Sequence, residues 1–251
     1  MIELRPAERT EIPALRRLWK AAFGDGDEFL DDFFELAFTP ARSLAALWDG
    51  TLAGMLYWFD CRCRAERLAY LYAVAVAEPF RGRGLCRSLM ETAHETLRAE
   101  GYGGSLLVPG DESLRRMYEK LGYLDFGGLT REPVRAGESL PLEPLTPEAY
   151  ARRQETLLPP GSAVLERDGL AFQQTLGGLY AFPGGICAVE RGEPMTIREL
   201  LPPESPAAPG ILAALGVEEG ILCRSEGAEP FAMYRDLGAG EPPAAFAMDF
   251  D

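Results

Sequence analysis

Apolar positions along the first 130 residues switch between a helical and a strand period. A short strand at "IELR" precedes Ile12, Leu15, Leu18 and Trp19, which recur at helical spacing behind a Thr10 cap. After the turn "GDGD", the stretch "DEFLDDFFELAF" predicts a second helix. "SLAALWDGTLAGMLYWFDCRC" and "ERLAYLYAVAVAEPF" predict three strands, the first two folding back at Asp49-Gly50, a dipeptide suited to a two-residue hairpin. Leu85, Leu89, Ala93 and Leu97 then share one helix face, and Gly101 offers its stop. "GGSLLVPG" reads as a short buried strand, "DESLRRMYEKLG" as a helix capped by Asp111, and "GYLDFGGL" as a strand after a Gly122 stop. The predicted order is βααβββαβαβ, an α/β (α+β) domain over residues 1–130.

Residues 131–147 are rich in proline and charge without a period and are expected as a linker. Residues 148–251 predict helices at "EAYARRQETLL" and near "LAFQQTLGGL", strands at "LYAFPGGICAVE" and "PMTIREL", and a helix at "APGILAALG". Strands at "GILCRS", "FAMYRDL" and "AAFAMDF" follow. This order echoes the first half without visible sequence identity, as a degenerate duplication would.

Composition narrows the partners. The 251 residues carry a formal net charge of −14, which argues against nonspecific binding to nucleic acid or anionic membrane and favours a cationic substrate. Solubility alone also accounts for acidity. Five cysteines in an odd set without disulfide spacing, an N-terminus without an apolar signal core, and no apolar run of membrane length point to a soluble protein of the reducing cytoplasm. Cys61-x-Cys63 has no partner cysteines or histidines near it in sequence, so no metal is expected. His94, the single histidine, lies mid-helix, where a surface or packing role is expected.

The densest chemistry is "VAVAEPFRGRGLCRSLM". A strand that runs through a glycine turn into a helix presents free backbone N–H groups at the positive end of the helix dipole, a concavity that attracts phosphate. Gly82 and Gly84 permit close approach, and Arg81, Arg83 and Arg87 add charge. The plainer alternative is a helix start with solvated arginines. Spacing excludes the common nucleotide motifs: Arg87 stands where a dinucleotide fingerprint needs its third glycine, and no Walker Gly-Lys-Ser/Thr follows.

The same residues resemble the acetyl-CoA motif of the GCN5-related N-acetyltransferases (GNAT), Arg/Gln-x-x-Gly-x-Gly/Ala after an apolar strand. Arg81-Gly82-Arg83-Gly84-Leu85-Cys86 matches, with Cys86 in place of the last Gly/Ala. "DESLRRMYEKLGY" resembles the family's later motif, with Tyr118 at its tyrosine, Gly122-Tyr123 at its Gly-Phe, and Asp111 for the usual Asn. The arginine-rich turn and the degenerate second copy are similar to the tandem enhanced-intracellular-survival acetyltransferases, although this chain is shorter and keeps at most a remnant of their sterol-carrier-like domain.

The resemblance implies the GNAT fold with a mixed central sheet, a second degenerate GNAT-like or sterol-carrier-like domain over 148–251, and acetyl transfer from acetyl-CoA to a primary amine. The acceptor class would be a polyamine, an amino sugar or aminoglycoside, or lysine. Backbone at Val74, Ala75 and Val76 would pair with the pantetheine arm, and the amides of residues 82–87 would hold the pyrophosphate. Ser113 and Leu114 would border the pantetheine or adenine. Tyr118 would protonate the departing thiolate. The strand before the turn lacks the family's Glu, leaving a water relay, Glu66, Asp60 or the carboxylate of Asp251 as base. The second half has no Arg-x-x-Gly-x-Gly and is expected to wall the acceptor cleft or to make a homodimer. A non-catalytic CoA-binding regulator is the alternative. Cys86, at a helix start, is expected to be an alkylation-sensitive thiol that acetyl-CoA protects.

Overall fold

The computed structural model describes residues 1–251 apart from 228, 229, 239, 247, 249 and 251. Its first half contains β1 (Ile2–Arg5), α1 (Ile12–Phe23), α2 (Asp27–Asp32), β2 (Ser43–Trp48), β3 (Thr51–Cys63) and β4 (Glu66–Val76). α3 (Leu85–Ala99), β5 (Gly104–Leu107), α4 (Glu112–Glu119) and β6 (Leu124–Gly128) follow, in the order the pattern predicts. The β2–β3 hairpin turns at Asp49 and Gly50, both with positive φ, as its two-residue loop requires. Asp111 caps α4 by accepting from the Leu114 amide at 2.7 Å. Thr10 is not a cap: a 3-10 turn at Arg9–Glu11 precedes α1, closed by a reciprocal Glu8 and Glu11 capping box, and Glu11 is also bound by Arg5 at 2.7 Å.

The second half contains β7 (Thr130–Arg135), β8 (Glu143–Pro144), α5 (Pro147–Leu157), β9 (Val164–Leu165), α6 (Arg167–Leu176), β10 (Gly177–Phe182) and β11 (Gly185–Glu190). It ends with β12 (Met195–Leu201), α7 (Ala208–Ala214), β13 (Glu219–Arg224) and β14 (Pro230–Asp236). Two sheets result. The first runs β1-β2-β3-β4-β5-β14-β6, with β9 added to β3, and the second runs β7-β13-β12-β11-β10-β8. In the first, an antiparallel meander ends in β4, crosses through α3 and returns as β5 parallel to β4. The second repeats this with β10, β11 and β12, then α7, then β13 parallel to β12.

The halves exchange strands. β14 leaves the second half and inserts between β5 and β6, while β7, which directly follows β6 in the chain, pairs instead with β13 in the second sheet. Residues 131–147 are therefore not the linker their composition suggests. Val134 and its neighbours form an edge strand whose Pro133 lacks the N–H that a central strand would use. The core is shared as well. One buried cluster joins Leu15, Trp19 and Phe33 of the first half to Tyr150, Phe172 and Leu179 of the second and to Phe246 and Phe250 of the tail. Among its described residues the tail is not the strand its alternation predicts. They make one isolated bridge, Ser162 to Ala245, and bury Phe246, Met248 and Phe250.

One carboxylate is buried at a cost. Glu199 on β12 accepts from the Tyr150 hydroxyl at 2.6 Å and the Gln154 amide at 2.8 Å, yet burial outweighs these bonds and raises its pKa from 4.5 to about 6. The unfolded chain ionises first, so the penalty is absent below pH 4.5, grows as pH rises through 6, and is full above it, at about 2 kcal/mol. Glu199→Gln keeps both bonds and removes the charge. Urea unfolding is expected to show the variant more stable than the parent by about 1–2 kcal/mol at pH 7.5 and equal to it at pH 4. A variant less stable at pH 7.5 would mean that the charge itself serves the fold.

Candidate active site

β4 and β5 pair in parallel only from Leu68 to Tyr70, opposite Gly104 to Leu106. Beyond that point they part, while β4 stays paired with β3 up to Val76. A bulge in β4 accompanies the parting: Ala73 has φ of 49°, and the register against β3 shifts between Met55 and Tyr57. The opening between the strands is a cavity of about 320 Å³. Its sides are Tyr72, Ala73 and Val74 of β4, Leu107 and Val108 at the end of β5, and Leu114 and Tyr118 of α4. Trp19 and Phe23 of α1, Asp25 after it, and Phe250 of the tail complete the far wall.

Tyr118 is buried in the last turn of α4, its ring set edge-on against Tyr123 at 5.8 Å. Val74 and Leu114 line the same cavity, as the resemblance implies. Ser113 is exposed in the first turn of α4 and is not among the lining residues. Ala75 and Val76 continue β4 towards the glycine turn, which leads into α3 at Leu85. Gly82 and Gly84 both have positive φ, of 73° and 82°, and a Cβ at either would meet no atom within 4 Å. The backbone conformation calls for glycine there, and the space over the turn is open to a ligand.

The three arginines do not converge. The Arg81 Nε donates to the Val76 carbonyl at 3.0 Å and ties the turn back to β4. Arg83 lies over the Trp48 ring at 4.9 Å, and Arg87 pairs with Glu91 at 3.5 Å. Cys86 is not an activated thiol. It is partly buried with its Sγ 3.9 Å from the Met117 sulfur, and burial raises its pKa rather than lowering it. Desolvation at this site outweighs the pull of the helix N-terminus.

The expected bases fare differently. Asp60 is held by Arg42 at 2.8 Å and by the Tyr102 hydroxyl; burial opposes its charge, but these bonds win and its pKa is lowered. It does not line the cavity and is a structural ion pair. Glu66 is exposed at the start of β4, beside the hairpin to β3 and outside the lining. Asp251 lies outside the described residues. Sequence reasoning missed Asp25, whose Oδ2 accepts the Trp19 indole N–H at 2.7 Å. Its segment "GDGD" reads only as a turn.

Of the surface and packing roles expected of it, His94 takes the packing one and is buried. Arg235 of β14 donates to its Nδ1 at 2.8 Å, so Nε2 carries the proton and donates to the Tyr123 hydroxyl at 2.7 Å, which in turn bonds Ser105 at 2.7 Å. This chain joins α3, β5, β14 and the entry to β6 behind the cavity. Cys61 and Cys63 are buried in β3, and among the described residues no cluster of three metal-ligating side chains occurs.

A model of the acetyltransferase (GNAT) domain matches residues 3–124, the segment that holds the parted strands and the glycine turn. Residues 3–124 are a GNAT acetyltransferase domain. The GNAT fold is also found in solved structures that extend over both halves. A GCN5-related N-acetyltransferase from Kribbella flavida is 19% identical with a TM-score of 0.70, covering 95% of this chain and 73% of its own. Eis1 from Mycobacterium abscessus is 14% identical with a TM-score of 0.63, covering 94% of this chain and 74% of its own. A putative acetyltransferase from Pyrococcus horikoshii is 16% identical with a TM-score of 0.67, covering 98% and 92%. No curated protein matches the chain. Among the described residues, no helix of the chain is long and apolar enough to cross a membrane.

Proposed function

We propose that the protein transfers the acetyl group of acetyl-CoA to the nitrogen of a primary amine by direct attack. The parted β4 and β5 carry this reading. They leave an unpaired strand edge at Val74, an open glycine turn at one end and a buried tyrosine beside the opening. Acetyl-CoA fits that arrangement as co-substrate. Its pyrophosphate takes the amides from Gly82 to Arg87, and its pantetheine arm pairs along β4. The amine loses a proton to water and its nitrogen attacks the thioester carbonyl. The C–S bond then breaks, the Tyr118 hydroxyl gives its proton to the departing sulfur, and the second proton shed by the acylated nitrogen restores the phenol. The Val76 amide donates to the carbonyl oxygen as it becomes an oxyanion, a contribution of roughly 3–4 kcal/mol where such donors have been removed.

Under this reading the acidic protein works in the cytoplasm, without nucleic acid or membrane. Calorimetry with acetyl-CoA is the direct test. One site per chain and a raised melting temperature are expected; no heat and no thermal shift would overturn the donor assignment. Binding without CoA release across a wide amine panel would leave a CoA-binding regulator in place of an enzyme.

A further inference from the structure

We infer that the acceptor is a small monoamine bearing one aromatic ring, bound with its ammonium at Asp25 and its ring against Phe23 and Phe250. This rests on the acetyl-transfer reading above and names the substrate class of that same site. Three observations carry it.

The first is size. The whole cavity measures about 320 Å³ and must also admit the thioester end of the donor. A void of about 150 Å³ suffices for a benzene-sized ligand. One ring therefore fits beside the donor, and a molecule of several sugar rings does not.

The second is the lining. Among the described residues the wall has six aromatic side chains, Trp19, Phe23, Tyr70, Tyr72, Tyr118 and Phe250, and one carboxylate, Asp25. None of its described residues is Ser, Thr, Asn, Gln, Lys or Arg. A polyhydroxylated amine would bury hydroxyls with few partners, at about 1–3 kcal/mol for each one unsatisfied. A polyamine would bring at least two charges to one described carboxylate. A single ammonium among aromatic faces gains cation–π attraction as well as the Asp25 charge.

The third is rigidity. Asp25 is fixed by the Trp19 N–H at 2.7 Å, and Trp19 packs on Phe33 at 4.6 Å and Tyr57 at 5.5 Å between ring centroids. Phe250 is fixed on the other side by Phe59 at 4.8 Å and Phe172 at 5.1 Å, and its carbonyl accepts from the Tyr72 hydroxyl at 3.1 Å. Phe23, by contrast, is 48% exposed at the mouth, an apolar surface for which the protein's own core has no use.

The test titrates the protein, saturated with desulfo-CoA, with 2-phenylethylamine, glucosamine, spermidine and a lysine-containing peptide, and measures CoA release with acetyl-CoA for each. The arylalkylamine is expected to bind at least tenfold more tightly than the others and to have the highest kcat/KM. Asp25→Asn, which can still accept the Trp19 N–H, is expected to weaken it at least tenfold, and Phe23→Ala severalfold, with acetyl-CoA affinity unchanged in both. Tighter binding of the sugar, polyamine or peptide, or no effect of either substitution, would overturn the assignment. Failure of the acetyl-transfer reading is seen separately: acetyl-CoA then gives no heat, or phenylethylamine binds as stated without CoA release, which supports the pocket and not the reaction.

Discussion

Tyr118→Phe is expected to lower kcat about 100-fold at pH 7 while leaving the dissociation constant of acetyl-CoA and the melting temperature nearly unchanged. The substitution removes only the hydroxyl. The ring keeps its edge-on contact with Tyr123 and its place beside Leu121 in the core behind the cavity. General acids contribute about 10²–10⁴-fold, and the lower end applies here because a thiolate, with a pKa near 8.5, is a tolerable leaving group without help. The same reasoning sets a pH signature. As pH rises above about 9 the benefit of protonating the sulfur fades, so the ratio of parent to variant kcat is expected to shrink. Single-turnover measurements of CoA release at pH 7 and 9.5 check both points. Equal rates at pH 7 would reduce Tyr118 to a packing residue.

Acid is expected to weaken the protein through its single histidine. Burial, with Arg235 and Arg98 adding repulsion, lowers the His94 pKa from 6.5 to about 3. The unfolded chain therefore binds a proton that the folded one refuses. The stability this represents is complete above pH 6.5 and is lost as pH falls towards 3, in all on the order of 3–5 kcal/mol. Protonation would place a second positive charge against Arg235 and give Nδ1 a hydrogen where it now accepts one. His94→Gln cannot titrate. Between pH 6 and 4.5 the unfolding free energy of the parent is expected to fall relative to the variant by about 2 kcal/mol, in urea melts at matched ionic strength. Parallel pH profiles would show that the histidine protonates without unfolding. Glu199 acts in the opposite sense over the same range, so the two single variants must be compared separately with the parent.

The first half was legible because each element announces itself locally. The Asp49-Gly50 turn, the Asp111 cap and the spacing from Leu85 to Leu97 each need only near neighbours in the chain. What depends on distant chain was not legible. Arg131 to Arg135 reads as part of a linker because an edge strand tolerates proline and charge, and only its pairing with β13 makes it a strand. "AAFAMDF" has strand alternation, but its apolar residues are drawn into an aromatic cluster built by both halves. In the site, Gly82, Gly84 and Tyr118 were visible as a motif, while Asp25 was hidden because a carboxylate in a turn acquires meaning only when Trp19 and β4 surround it. The arginines misled by their density: Arg81 serves the backbone and Arg83 a tryptophan.

The place of β14 bears on how the chain emerges from the ribosome. β5 is finished at Leu107, but the strand that covers its free edge ends at Asp236. At about 5–20 residues per second, synthesis needs roughly 10 s to cross that interval, and during it the nascent acetyltransferase sheet presents β5 and β6 without the strand between them. A stall or truncation anywhere in the second half thus leaves an open, pairing-competent edge in the first, and proteolysis of such chains is expected to begin in the half that was made first.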